Sequence, residues 1–417
     1  MKTFWVALAL LPLTACSGSS SENGSPAAGA DSGAAPDTGA PRDAATLDDA
    51  SVRDAGAPPL DGGIDAAASV DATFDAGTAN DAEVEASADA ATDAGNDARV
   101  ADAAPPTAAA TPAELTATTA TMTGDGIDNC GPNGDDVCAR SLLVPGGTFL
   151  RGTGTGAPAT VSTFRLDKYE VTVGRFRRFF EAWIGGWRPS VGAGKHAHVN
   201  GGQGLAATTG GYESGWTATW STNVGRPKSN TVNPPTNGTF DAASWNQAFS
   251  GCASQLGGWT PTAGTFERNP MNCLSWYDLH AFCIWDGGFV PTDAEWEYAA
   301  AGGSEERTYP WGDTLLSPGY AVADRTFAEA VGGAWRGAGR WGHLDLAGNV
   351  REWTLDQYEL DFASPCTDCL ALPAGNYRVY RSPPYDAPLN GMQSTERSAY
   401  WAASRLRNIG GRCARRP

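Results

Sequence analysis

Phe176, Phe179, Phe180 and Trp183 fall at i, i+3, i+4 and i+7, the spacing of one buried helical face. Thr172 just ahead is a residue type that caps a helix start, and Gly185-Gly186 ends the run. The same reading places a second helix from Ser275, with Asp278 three residues on, to Gly287-Gly288. A third runs from Thr292, with Glu295 as its capping partner, to Gly302. Val144 to Gly152 reads as a strand and turn, and Phe164 to Val171 as a second strand. From Pro189 to Asn269 no period is legible, which predicts long loops held by Trp187, Trp216, Trp220, Trp245 and Trp259. Beyond the third helix, short strands alternate with turns. The fold class is therefore α+β, with a few short helices, short antiparallel strands and irregular structure dominant.

The first residues read differently. Met1-Lys2, an apolar run from Phe4 to Leu13 and then Leu13-Thr14-Ala15-Cys16 have the charged, apolar and small-residue parts of an export signal. The Leu-Thr-Ala-Cys ending resembles a bacterial lipobox. That resemblance implies a signal peptide at 1–16, lipidation of Cys16, and a membrane held through that anchor. Ser17 in place of Asp implies the outer membrane of the cell envelope.

Composition sets residues 17–120 apart. They hold 19 acidic and 3 basic residues, one aromatic ring (Phe74), and Asp-Ala pairs at irregular gaps. Such a segment cannot bury enough apolar area to offset its ordering entropy, so a disordered spacer is expected, spanning roughly 50 to 60 Å as a flexible coil. The rest of the chain is close to neutral and holds 14 of the 15 tryptophans. With the whole chain at −18 and no basic face, nucleic acid is excluded as a partner. Residues 121–140 form a cysteine-containing lead-in, and 141–417 the globular domain.

Eight cysteines follow Cys16: Cys130, Cys138, Cys252, Cys273, Cys283, Cys366, Cys369 and Cys413. An even number in an exported chain reads as disulfides, with 105 possible pairings. The short spacings suggest local loops at Cys130/Cys138 and Cys366/Cys369. Zinc is not expected, because His196, His198, His280 and His343 stand in no metal-binding spacing.

Six blocks then carry a specific resemblance: Phe164–Thr172 (FRLDKYEVT), Pro291–Gly303 (PTDAEWEYAAAGG), Tyr309–Asp313 (YPWGD), Leu344–Trp353 (LDLAGNVREW), Arg378–Arg381 (RVYR) and Gly411–Cys413 (GRC). In this order they resemble the formylglycine-generating enzyme (sulfatase-modifying factor) domain. The resemblance implies an irregular fold related to C-type lectins, with bound calcium. It places structural calcium on the side chains of Asp345 and Glu352 and the carbonyls of Gly348 and Val350, hard oxygen donors of the kind calcium requires. A turn in which Glu352 pairs with an arginine is the competing reading.

The family oxidises a substrate cysteine with copper held by two cysteines five residues apart, after an R-V-x-R-G-G-S strand. Here Arg381 is followed by Ser382-Pro383-Pro384, and the two cysteine positions fall near Met392 and Arg397. No cysteine lies between Cys369 and Cys413, so copper, which needs thiolates in its reduced state, is not expected. The reading is a surface-tethered, non-catalytic domain with no catalytic residues, binding a protein, peptide or glycan, with the aromatic-rich stretch from Trp183 to Trp259 as its surface. The alternative is an enzyme of the superfamily, an oxidase-type modifier of a peptide or small molecule with a different active site.

Overall fold

The computed structural model describes residues 109–153, 156–226, 241–250, 252, 257–314, 319–372 and 375–417. The export signal, Cys16 and most of the spacer lie outside the described residues. Among those described, no helix is long and apolar enough to cross a membrane.

Strands β1 (Ser141–Val144), β2 (Gly147–Arg151), β3 (Ala157–Val161) and β4 (Phe164–Asp167) come first, then helix α1 (Val173–Ile184). The Thr172 side chain accepts from the Arg175 amide, the cap that its position predicts. A two-residue strand β5 (Ala206–Ala207) and helix α2 (Ala242–Ser250) follow. Helices α3 (Trp276–Trp285) and α4 (Asp293–Ala300) both open with reciprocal side-chain–backbone bonds, Ser275 with Asp278 and Thr292 with Glu295. The last third supplies β6 (Arg351–Gln357), β7 (Cys366–Thr367), β8 (Cys369–Leu370), β9 (Tyr377–Arg381), β10 (Arg397–Trp401), β11 (Ile409–Gly410) and β12 (Ala414–Arg415).

The largest sheet has the order β10-β9-β6-β11, and β1-β4-β12 and β2-β3-β7 form two smaller ones. The longer pairs are antiparallel, whereas β3–β7, β5–β8 and β6–β11 are parallel and two residues long. This α+β, loop-rich architecture is the expected fold class.

Helix α2 was not expected, and it explains the tryptophans. Phe176 on α1 lies 5.9 Å from Trp245 and 5.6 Å from Phe249 on α2, 5.9 Å from Phe282 on α3 and 6.2 Å from Trp259, measured between ring centroids. Trp183, Trp216, Trp245 and Trp259 are fully buried, while Trp187 and Trp220 pack half-buried against the same cluster. The tryptophans named for the stretch from Trp183 to Trp259 are thus core, because their rings are consumed in covering α1 and α3.

Packed structure also begins before residue 121, within the last residues that composition assigns to the spacer. The amide and hydroxyl of the buried Thr119 both donate to Asp286 Oδ1 at 2.8 Å. Arg175 and Arg415 each bridge Asp286 and Asp167 in a closed, buried quartet of two cations and two anions. A composition-based boundary at residue 120 missed this, since the contact rests on one small hydroxyl inside an Ala/Thr-rich run.

Candidate functional site

The turn between Leu344 and Glu352 runs through left-handed backbone at Asp345 (φ 57°), Gly348 (φ 92°) and Asn349 (φ 58°). At Gly348 a β-carbon would lie 2.6 Å from the Val322 carbonyl oxygen, so only glycine fits. The turn meets Glu170, whose carboxylate accepts from Asn349 Nδ2 at 2.7 Å and from the Val350 amide at 3.1 Å. Three buried carboxylates (Glu170, Asp345, Glu352) here face one buried cation, Arg412. Burial and repulsion from Asp345 and Glu352 push Glu170 well above the carboxylate range, and burial pushes Asp345 up to about 6.

Asp345 Oδ2 accepts from the Gly332 amide at 2.6 Å, whereas Oδ1 is buried without a hydrogen-bond partner. Excess buried negative charge and an orphaned oxygen are what a hard cation fits. Glu352 is not available as the expected ligand. Arg412 holds its Oε1 at 2.7 Å and its Oε2 at 2.8 Å, and Trp296 Nε1 also donates to Oε2 at 2.8 Å. The remaining Arg412 donors go to the carbonyls of Asp167, Lys168, Leu344 and Asp345, so its guanidinium already fills an oxygen-lined socket.

Met392 and Arg397, near which the resemblance places the two copper cysteines, are both held by packing or ion pairs. Met392 is fully buried in an apolar cluster with Tyr309, Ala321, Ala323 and Ala347. Arg397 opens β10 directly across from Arg381, donates from Nε to Asp293 Oδ2 at 2.9 Å and from Nη1 to the Glu359 carbonyl at 2.8 Å. Arg381 takes Asp293 Oδ1 at 2.5 Å and Glu297 Oε2 at 2.6 Å. Despite its burial, Asp293 is held below the usual carboxylate range by the two guanidinium groups. The buried Ser382 adopts φ 67° where the family strand has glycine.

A cavity of about 250 Å³ opens beside Met392, lined among others by Gly152, Glu297, Thr308, Gln393 and Thr395. Its one buried titratable group, Glu297, is already engaged: Oε1 accepts from the Gly152 amide and Oε2 from Arg381, both at 2.6 Å. No thiol lines it, and its exposed carboxylate, Glu306, accepts from the Leu150 amide at 3.0 Å through Oε1.

All eight cysteines of the described residues are oxidised, as Cys130–Cys138, Cys252–Cys273, Cys283–Cys413 and Cys366–Cys369. The two short loops suggested by spacing are present. The histidines do not converge on a metal: His280 and His343 are each buried alone, burial pushing both down to about 3. No group of three or more His, Cys, Asp and Glu poised for a metal occurs among the described residues. His196 is clamped between Glu213 and Glu295, each 3.2 Å from a ring nitrogen, a contact invisible in the sequence.

Residues 129–417 match the Sulfatase-modifying factor enzyme 1-like domain. The formylglycine-generating enzyme of Thermomonospora curvata is 26% identical over 317 residues, covering 68% of this chain and 95% of that enzyme. That of Streptomyces coelicolor is 33% identical over 168 residues, covering 35% of this chain and 52% of that enzyme. The bovine protein named inactive C-alpha-formylglycine-generating enzyme 2 is 35% identical over 112 residues, 24% of this chain and 37% of its own length. Among solved structures, PvdO from Pseudomonas aeruginosa aligns at 18% identity and a TM-score of 0.45, over 71% of this chain and 98% of that one.

Proposed function

The chain belongs to the sulfatase-modifying factor enzyme 1-like family, and from that premise we propose that its globular domain is a non-catalytic binding module. One observation carries the reading. The positions at which the family's copper thiolates would stand hold a buried thioether, Met392, and a guanidinium, Arg397, already locked to Asp293. Oxidation of a peptide cysteine needs a copper bound by thiolates, and every cysteine from residue 130 on is in a disulfide. The existence of a relative named as inactive supports a non-catalytic branch of the same fold.

The proposal extends to the rest of the chain. Cys16 is the lipid anchor in the outer membrane, and the acidic segment after it is the spacer that lets the domain reach a protein, peptide or glycan. Structural calcium belongs at the 345–350 turn, held by Asp345 with the Gly348 and Val350 carbonyls, and with Glu352 committed to Arg412 instead.

The test is direct. Copper-loaded domain is incubated with a sulfatase-motif peptide, and mass spectrometry looks for the loss of 18 mass units on conversion of cysteine to formylglycine, a shift fixed by the chemistry of the family's reaction. No product above that of a Cys366→Ser, Cys369→Ser variant is expected. Product beyond that level makes the domain an enzyme and places its chemistry at the C-x-x-C loop.

A further inference from the structure

Most large apolar side chains left exposed on this domain are scattered singly, but three of them gather at one end of the largest sheet: Tyr358, Tyr377 and Trp401. Tyr377 and Trp401 are direct cross-strand partners on β9 and β10, so their side chains share a face, whereas the exposed Tyr400, one residue before Trp401, points to the other. The ring centroids of Tyr377 and Trp401 are 4.7 Å apart with the planes at 42°, and the rings are 42% and 48% exposed. Tyr358, 38% exposed, lies alongside, its amide donating to the Tyr377 carbonyl at 3.1 Å.

The strip continues beyond Tyr358. The Arg397 guanidinium stands over the Tyr358 ring at 4.7 Å and over Phe362 at 4.8 Å, and Phe362 in turn packs on Gly152 at the wall of the 250 Å³ cavity. Arg397 therefore fixes the orientation of an aromatic row that runs from Trp401 to the cavity beside Met392.

We propose that this row is the binding site of the module, and that it takes a neutral polysaccharide. The inference rests on the non-catalytic reading above and names the ligand class for it. Three features select that class. The row offers flat rings with polar edges, which suit the C–H faces of pyranose rings, and at its edge only Leu360 is an exposed aliphatic of the kind a peptide anchor needs. The cation on it, Arg397, is spent on Asp293, while the carboxylates of Glu359 and Asp361 stand between Tyr358 and Phe362, so an anionic ligand is disfavoured. The cavity at its end adds the neutral hydrogen-bonding side chains of Thr308, Gln393 and Thr395 beside the charged Glu297, Glu306 and Arg307.

The measurement is affinity electrophoresis of the disulfide-intact protein in native gels cast with hydroxyethyl cellulose, xylan, glucomannan or acetylated glycol chitin, with anionic alginate as the contrast. Retardation is expected in at least one neutral gel and not in alginate alone. Tyr377→Ala with Trp401→Ala should weaken it at least tenfold, while Phe327→Ala, an exposed ring elsewhere, should not change it. Because both rings are half exposed, the double variant should keep the parent melting temperature; Trp401→Gln is the milder second variant if it does not. Mobility unchanged in every neutral gel, retardation confined to alginate, or retardation that survives loss of both rings overturns the assignment. The peptide assay for formylglycine is read separately, so failure of the sugar site and failure of the non-catalytic reading are told apart.

Discussion

Replacing His196 by Gln probes the clamp that ties the long stretch after α1 to the start of α4. His196 is fully buried, with Nδ1 3.2 Å from both Glu213 oxygens and Nε2 3.2 Å from Glu295 Oε2. Burial by itself lowers an imidazole pKa, but the two carboxylates outweigh it and raise this one to about 10 from 6.5. At 1.36 kcal/mol per pKa unit that difference corresponds to about 5 kcal/mol. The sign follows from linkage. A histidine whose folded pKa is raised contributes fully below the unfolded value of 6.5 and loses the contribution as pH climbs to 10. His196→Gln keeps a polar amide but no charge, so its stability deficit should be greatest near pH 6 and shrink by about 1.4 kcal/mol for each pH unit above 6.5. Guanidinium unfolding of both proteins at pH 6, 7.5 and 9 measures it, with disulfides intact. A deficit that stays constant across that range refutes the charged clamp and leaves His196 as ordinary packing.

Chelator should lower the melting temperature of the parent domain, since a metal bound only in the folded state adds roughly 2.7 kcal/mol at a hundredfold excess over Kd. Asp345→Ala should abolish that response, whereas Glu352→Ala, which strands the buried Arg412, should destabilise equally with and without chelator; a parent curve indifferent to chelator removes the site. For the anchor, Cys16→Ser should move the protein from the membrane to the soluble fraction and end labelling by a fatty-acid analogue, and retention in the membrane refutes it. Deleting residues 25–110 should leave the domain's melting temperature unchanged, a large drop showing that the segment packs.

Local signals in the sequence were strong where short-range bonds decide structure. Thr172, Ser275 and Thr292 each cap the helix that their spacing indicates. Helix α2 escaped because, among its residues with described burial, only Trp245, Ala248 and Phe249 are buried, too few to establish a period, and it is held by Phe176 and Phe180 from α1. Disulfides within short loops were legible, but Cys283–Cys413 spans 130 residues and no spacing rule reaches it. Motif order points to the neighbourhood of Met392 and Arg397, yet only the packing shows how those two side chains are held. The aromatic row was hidden for the opposite reason: Tyr358, Tyr377 and Trp401 lie far apart in sequence and join only through strand register.

The junction at Asp286 has a mechanical meaning. Thr118 and Thr119 enter there through three hydrogen bonds, and Arg415 leaves through two more to the same residue. Three residues earlier, Cys283 is joined covalently to Cys413. A pull that reaches residue 118 therefore loads several bonds side by side, three residues from a crosslink that cannot unzip. Tension delivered through a tether would be taken up at this junction, where buried ion pairs and a covalent bond share the load.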